Sequence, residues 1–266
     1  MNKQIELSKE QNSEDKILIA KILDKIKFVE SKNRFEETDF LDLRQQEIVK
    51  GILAKRKYEG YSFLGGYEDS ERKIVVIYPE NIDEKYIEEK ILNQVLAVIN
   101  ITLPNELKNK YEHRNYLGGL MKLGIKREKV GDILVREDGA DIIVKNEIAN
   151  YINSNITGLT RFQKSKVCIK KINELIYVKK EKEYIKINIP SMRLDCIVGE
   201  LAKCSRNEAN KYLIEERVFV NFKEEIRASK TIKEGDYITI RGKGRFKINK
   251  ILGQTKKGRL SVEIEK

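Results

Sequence analysis

The sequence predicts an α+β protein in three parts: an N-terminal helical domain over residues 1–60, a central α+β domain over 61–180 and a C-terminal domain over 190–266. Three observations predict it. Apolar residues repeat at helical spacing before residue 60. Short β-branched runs alternate with helical stretches through the centre. A capped helix pair leads into strands near the end. The length of 266 residues fits two or three domains. Hydrophobic residues make up 40% of the chain, enough to build cores and to exclude general disorder.

Residues 14–58 read as helices. Ile17, Leu18, Ile22 and Ile26 carry a first apolar stripe, and Phe40, Leu43, Ile48, Ile52 and Leu53 a second. Asp39 is the expected N-cap of the second helix, and EETD before it reads as a charged break. The glycine pair in YSFLGGY marks a turn or boundary. KIVVIYP and VLAVINIT are strands by length and β-branching. HRNYLGGLMKL is a helix weakened by Gly118 and Gly119. DILVRED and ADIIVKN flank Asp138-Gly139, a dipeptide suited to a tight hairpin. A short helix from Glu147 to Ile152 and the strand SKVCIKKI complete a sandwich with helices on one face. Such a sheet can offer its other face to RNA, although no aromatic-rich recognition strand is present. KKEKEYIKINI is a charged connector running into a strand, and Pro190 punctuates the chain after it.

Charge divides the chain. Residues 1–160 hold 26 basic and 28 acidic side chains, whereas residues 161–266 hold 27 and 14. The entire excess of +11 therefore lies in the C-terminal part, the footprint of a polyanion partner. The polar N-terminus predicts no signal peptide, and no apolar run is long enough to span a bilayer. Three cysteines in this length exclude a disulfide scaffold and fit a reducing compartment. The expected location is cytoplasmic.

The most informative stretch is SMRLDCIVGELAKCSRNEANKYLIEERVFVN. Leu194, Ile197, Val198 and Leu201 lie on one helix face. Ser205 and Glu208 form a capping box, so a second helix starts at Arg206, with Ala209, Leu213 and Ile214 as its inner stripe. Arg193 opens the first helix and Lys203 ends it; Ser205, Arg206, Asn207 and Lys211 occupy the start and outer side of the second. Arg241, Lys243, Arg245 and Lys247 follow around Gly242 and Gly244, where the backbone can approach phosphate. Asp195, in the first turn, is explained by the helix dipole.

RLD at 193–195, SR at 205–206, V-x-VN at 218–221, EGD at 234–236 and RGKGRF at 241–246 resemble, in order, the alpha-L RNA-binding motif, the domain type of ribosomal small-subunit protein four. FLGGYEDSERK (63–73), HRNYLGGLMKLGIKREKVGDILV (113–135) and NITGLTRFQKSKV (155–167) resemble the YlmH family. The resemblance implies an RNA-recognition-like central domain, a C-terminal alpha-L domain and a non-catalytic RNA-binding role. The partners it implies are rRNA and tRNA, on the large ribosomal subunit carrying peptidyl-tRNA, in ribosome-associated quality control. The motif's RNA-facing positions fall on Arg193, Ser205, Arg206 and Lys211, and its basic return strand on Lys243 and Arg245. Two usual glycines are replaced, by Glu216-Arg217 and by Phe222.

His113, the sole histidine, and Arg114 are a candidate second RNA contact, as are Lys126 and Arg127 in the basic loop after Gly124. Cys196 and Cys204 are too widely spaced for a zinc pair, and all three cysteines read as buried small hydrophobes. No phosphate loop or dinucleotide fingerprint occurs, so no catalytic residue, metal or cofactor is expected. Alpha-L domains also accompany RNA-modifying enzymes, so a pseudouridine synthase or methyltransferase type of enzyme is one alternative and a ribosome assembly factor another. No membrane partner is expected, and the chain is expected to be a monomer.

Overall fold

The computed structural model describes residues 13–177, 179 and 182–266. The N-terminal segment read as lacking a signal peptide, and part of the charged connector, fall outside that set. The chain divides into two compact units, Met1–Val178 and Lys179–Lys266.

In the first unit, α1 (Ser13–Lys32) buries Ile19, Ile22, Leu23, Ile26 and Val29 against α2 (Leu43–Arg56). Asp15, buried in the first turn of α1, is gripped by Arg44 of α2. The N-cap of α2 is Asp42, not Asp39. Its carboxylate accepts from Gln45 N at 2.8 Å and its own N–H donates to Gln45 Oε1 at 2.9 Å, a reciprocal box that Asp39 lacks the spacing to make. Asp39 instead accepts from Lys129 Nζ at 2.7 Å.

The helices pack on an antiparallel sheet ordered β1-β3-β2, from β1 (Glu36–Glu37), β2 (Tyr61–Leu64) and β3 (Ile74–Ile77). Two readings change here. The charged break holds a short strand, and YSFL is a strand whose glycine pair begins the next loop. Those glycines are required. A Cβ on Gly65 would stand 2.1 Å from Ser70 Oγ, and Gly66 has φ +94° with Ile172 Cδ1 2.6 Å from the place of its Cβ. Residues 84–95 add a helical segment with a π-type turn at Ile87–Ile91, so the expected strand VLAVINIT begins at Leu96 and its Val95 ends the helix.

A four-stranded antiparallel sheet follows, ordered β5-β6-β4-β7: β4 (Leu96–Thr102), β5 (Val130–Arg136), β6 (Gly139–Lys145) and β7 (Lys166–Lys170). The expected hairpin is present, with Arg136 paired to Gly139 across the turn. One face carries Ile99, Ile101, Ile142 and Val144 against α3 (His113–Lys122) and α4 (Asn146–Asn155). Gly119 lets α3 close on Phe162, whose Cε2 stands 2.6 Å from where a Cβ would be. The second face is not the open surface the sequence allowed. Leu96, Val98 and Ile143 share a core with Phe40, Leu64, Ile74 and Val76. Residues on both sides of position 60 are thus packed together.

The YlmH-like motifs meet at this junction. Asp132 of β5 accepts from Tyr67 Oη at 2.7 Å, Glu71 N at 2.7 Å and Arg72 N at 3.1 Å. Arg72 donates to the carbonyls of Val130 and Phe40. These motif residues hold the FLGGYEDSERK loop on the central sheet.

In the second unit a six-stranded antiparallel sheet is ordered β10-β9-β11-β12-β13-β8. Its strands are β8 (Tyr184–Ile189), β9 (Val218–Val220), β10 (Lys223–Glu224), β11 (Tyr237–Ile240), β12 (Gly244–Gln254) and β13 (Leu260–Glu265). Alternation sends Ile187, Ile189, Val218, Val220, Ile238, Ile240, Phe246, Ile248, Val262 and Ile264 to one face. That face packs on α5 (Leu194–Ala202) and α6 (Arg206–Ile214) through Leu194, Ile197, Val198, Leu201, Ala209 and Leu213. Ile214, expected inside, is 76% exposed: it lies at the last turn of α6, where the helix leaves the sheet.

Candidate nucleic-acid interface

The helix pair is joined by the three residues Lys203, Cys204 and Ser205. Lys203 caps α5 in a left-handed conformation at φ 54°, which reverses the chain. Ser205 then caps α6: its Oγ accepts from Glu208 N at 3.3 Å, and its N–H donates to Glu208 Oε2 at 2.9 Å. The capping hydrogen bonds hold the exposed Glu208 carboxyl below its ordinary range.

Asp195 organises the surface beside this turn. Its side chain is 1% exposed and lies one residue inside α5. Arg193 donates from Nε and Nη2 at 3.1 and 3.0 Å; Arg206 donates from Nε and Nη2 at 2.9 and 2.6 Å. Burial opposes the carboxylate's charge, but the two guanidinium partners overcome it and hold the carboxyl at about 2. The two arginines are thus a reason for an acid here beside the helix dipole. Asp195 places two arginines, thirteen residues apart in sequence, side by side at the starts of α5 and α6, each with its side chain partly exposed.

Lys203, Ser205, Asn207 and Lys211 are exposed beside that pair, with Asn207 and Lys211 one helical turn apart. A shallow cleft of about 560 Å³ lies between the helices, with Pro190, Gly199, Lys203 and Arg206 among its walls. Lys243 lies near it: burial pushes the Cys204 thiol up, Glu208 adds to this, and Lys243 opposes it.

The structure separates the other basic candidates from this cleft. Arg245 and Lys247 alternate with the buried Phe246 and Ile248, so they stand on the sheet face away from the core, as Arg241 does over Phe219. Of the rings that accompany them, the sequence singles out Phe222 but not Phe219, Tyr237 or Tyr212. Arg241 lies 4.8 Å from the Phe219 ring centre, Arg245 5.6 Å from Phe222 and Lys247 5.6 Å from Tyr237; Arg217 lies 4.3 Å from Tyr212. Period-two spacing from the core residues was the signal that could have found Phe219 and Tyr237.

Both replaced glycine positions keep a left-handed backbone, Glu216 at φ 55° and Phe222 at φ 65°. The turns are made at some strain rather than lost.

The four central candidates do not form one cluster. His113 and Arg114 begin α3, and Arg114 pairs with Glu112. Lys126 and Arg127 follow its other end, about 15 Å away by helix rise. Lys126 is exposed, while Arg127 turns inward onto the carbonyls of Val130 and Gly131. Burial, with Arg72 nearby, lowers the Arg127 guanidinium to about 10. The cysteines differ from expectation as well. Cys168 is exposed on the edge strand β7, and Cys196 and Cys204 are half-buried against the C-terminal core. Among the described residues no group of three or more His, Cys, Asp or Glu side chains is placed to hold a metal ion, and no helix is long and apolar enough to cross a membrane.

Residues 93–190 match the family described as "Putative RNA-binding domain in YlmH". The chain is 31% identical over 255 residues to "Ribosome-associated protein quality control protein P2" of Bacillus subtilis (strain 168), covering 95% of each chain. It is similar in fold to "Cell division protein ylmH from Streptococcus pneumoniae", with a TM-score of 0.50 and 24% identity over 63% of this chain and 98% of that one. Matched along 95% of such a relative, and ending in a capped helix pair on a sheet of alpha-L type, the chain belongs to the YlmH family of RNA-binding proteins.

Proposed function

We propose that this protein binds structured rRNA and tRNA on the large ribosomal subunit carrying peptidyl-tRNA, acting without catalysis in ribosome-associated quality control. The observation that carries the reading is the Asp195 clamp, which sets Arg193 and Arg206 side by side at two helix starts. Two fixed guanidinium groups beside a capped helix start suit phosphate oxygens, and such contacts recognise RNA by shape rather than base sequence. The similarity to a ribosome-associated quality control protein supports the choice of partner. Residues 190–266 are the part assigned to this contact, with Lys203, Ser205, Asn207, Lys211 and Lys243 completing it. His113, Arg114 and Lys126 are assigned a lesser contact.

The test is sedimentation through ribosome gradients at two salt concentrations, from cells with and without stalled translation. Lys203→Glu/Lys211→Glu is the variant of choice, because both side chains are exposed outside the Asp195 clamp. If about five cations each neutralise a phosphate, affinity falls roughly a hundredfold between about 50 and 200 mM salt. Wild-type protein is expected with the large subunit, enriched on stalled complexes, and the variant near the top of the gradient. Wild-type protein at the top under every condition would overturn the ribosome reading.

A further inference from the structure

We infer that the outer face of the six-stranded sheet binds an unpaired RNA nucleotide by stacking its base among Phe219, Phe222 and Tyr237, a contact separate from the phosphate-binding helix pair. The inference rests on the RNA-binding reading and deepens it.

Strand register assembles the surface. Thr239 pairs with Phe219 on one side and Arg245 on the other, while Tyr237 pairs with Lys247. All stand opposite the buried Val218, Val220, Ile238, Phe246 and Ile248, so the row faces away from the core. The three rings are partly exposed, and each has a cation over it. Two neighbouring acids are engaged: Asp236 accepts from Asn221 at 2.8 Å, and Glu265, across from Lys247, pairs with Lys182 at 3.0 Å. A third, Glu224, is exposed across from Phe219 at the β10 edge of the row.

A second observation points the same way. Asn221 and Phe222 both adopt positive φ, 49° and 65°. This conformation is unfavourable for a bulky aromatic residue, and strain of this kind concentrates at functional positions. Here it brings the Phe222 ring to 5.4 Å from that of Tyr237, tilted by 33°. A smaller residue could make the turn more easily but would leave no ring. Partly exposed rings interleaved with cations are what sequence-tolerant binding of single strands requires: every base offers a π-face, and the cations meet the backbone. A duplex hides its base faces and cannot use the rings.

The experiment uses the full chain and two probes, a ten-nucleotide single-stranded RNA with a central 2-aminopurine and an RNA hairpin with a fully paired stem. The expected result is quenching of the 2-aminopurine by wild-type protein. Phe222→Leu/Tyr237→Leu, checked for an unchanged melting curve, should lose the quenching and bind the single strand at least tenfold more weakly. Its binding to the hairpin should stay within twofold. Lys203→Glu/Lys211→Glu should do the reverse. Three results would each overturn the inference: no quenching by wild type, quenching unchanged in the aromatic variant, or single-strand binding that depends on Arg245 and Lys247 but not on the rings. Failure of ribosome co-sedimentation with quenching intact would instead sink only the choice of partner.

Discussion

Arg206, at the first position of α6, donates two hydrogen bonds to the Asp195 carboxylate near the start of α5, at 2.9 and 2.6 Å. A residue proposed to meet RNA is therefore also part of what joins the two helices. The carboxylate is buried while Arg206 is 61% exposed, so the pair has a structural end and a solvent-facing end.

Removing either partner has unequal consequences. Arg206→Ala leaves a buried carboxylate with Arg193 alone and should cost about 2 kcal/mol of stability, because an under-paired buried charge is worse than no charge. Asp195→Asn in the same background should restore part of that loss. Urea unfolding of the two single variants and the double variant measures this coupling. Strictly additive effects would show that the contact contributes nothing.

Acid should loosen the C-terminal unit. Asp195 and Glu225 both have folded carboxyls depressed to about 2, from ordinary values of 3.8 and 4.5. For Glu225 the hydrogen bonds from Arg227 lead, burial opposes, and Lys230 assists. A depressed carboxylate contributes stability that is complete above its unfolded value and is lost as pH falls through the folded value. The contribution should be flat above about pH 5 and decline from about 4.5 toward 2, on the order of 2 kcal/mol for each group. Asp195→Asn/Glu225→Gln should give a shallower acid limb in denaturation midpoints taken from pH 7 to pH 2.

Asp132→Ala should act on stability and not on RNA affinity. It removes the acceptor for Tyr67 Oη and two backbone N–H groups, and burial together with that carboxylate has pushed the Tyr67 phenol far above its ordinary range. A loss of about 2–3 kcal/mol is expected. Binding to a phosphate-rich RNA measured well below the melting temperature should change less than twofold.

Lys211→Ala should do the opposite. Its exposed side chain lies one turn beyond Asn207 on α6, so thermal stability should hold within about 0.5 kcal/mol. If it meets one phosphate, RNA affinity should fall and the slope of log affinity against log salt should drop by about 1. Filter binding at three salt concentrations tests both halves of that expectation.

Much was legible in the sequence because it is local. The capping box of Ser205 and Glu208 spans four residues, the stripe Leu194–Ile197–Val198–Leu201 spans eight, and the hairpin around Asp138-Gly139 turns within a few residues. Each is set by backbone geometry and burial over a short stretch, so spacing alone reveals it. The basic excess of the C-terminal part is likewise a count.

What only the tertiary structure decided depends on residues distant in the chain. Asp39, which does not cap the second helix, is held by Lys129, ninety residues on, a partner that no local spacing reveals. The second face of the central sheet is closed by Phe40, Leu64, Ile74 and Val76, which no local pattern assigns to it. Asp195 became a clamp only when folding brought Arg206 to the neighbour of Arg193, and Phe219, Tyr237, Arg245 and Lys247 became one surface only through strand register. The sequence by itself determined the elements, their apolar faces and the sign of the partner's charge. The pairing of those faces and the choice of which cations are held and which are offered came from long-range packing, where burial makes an unpartnered charge costly and so dictates its partner.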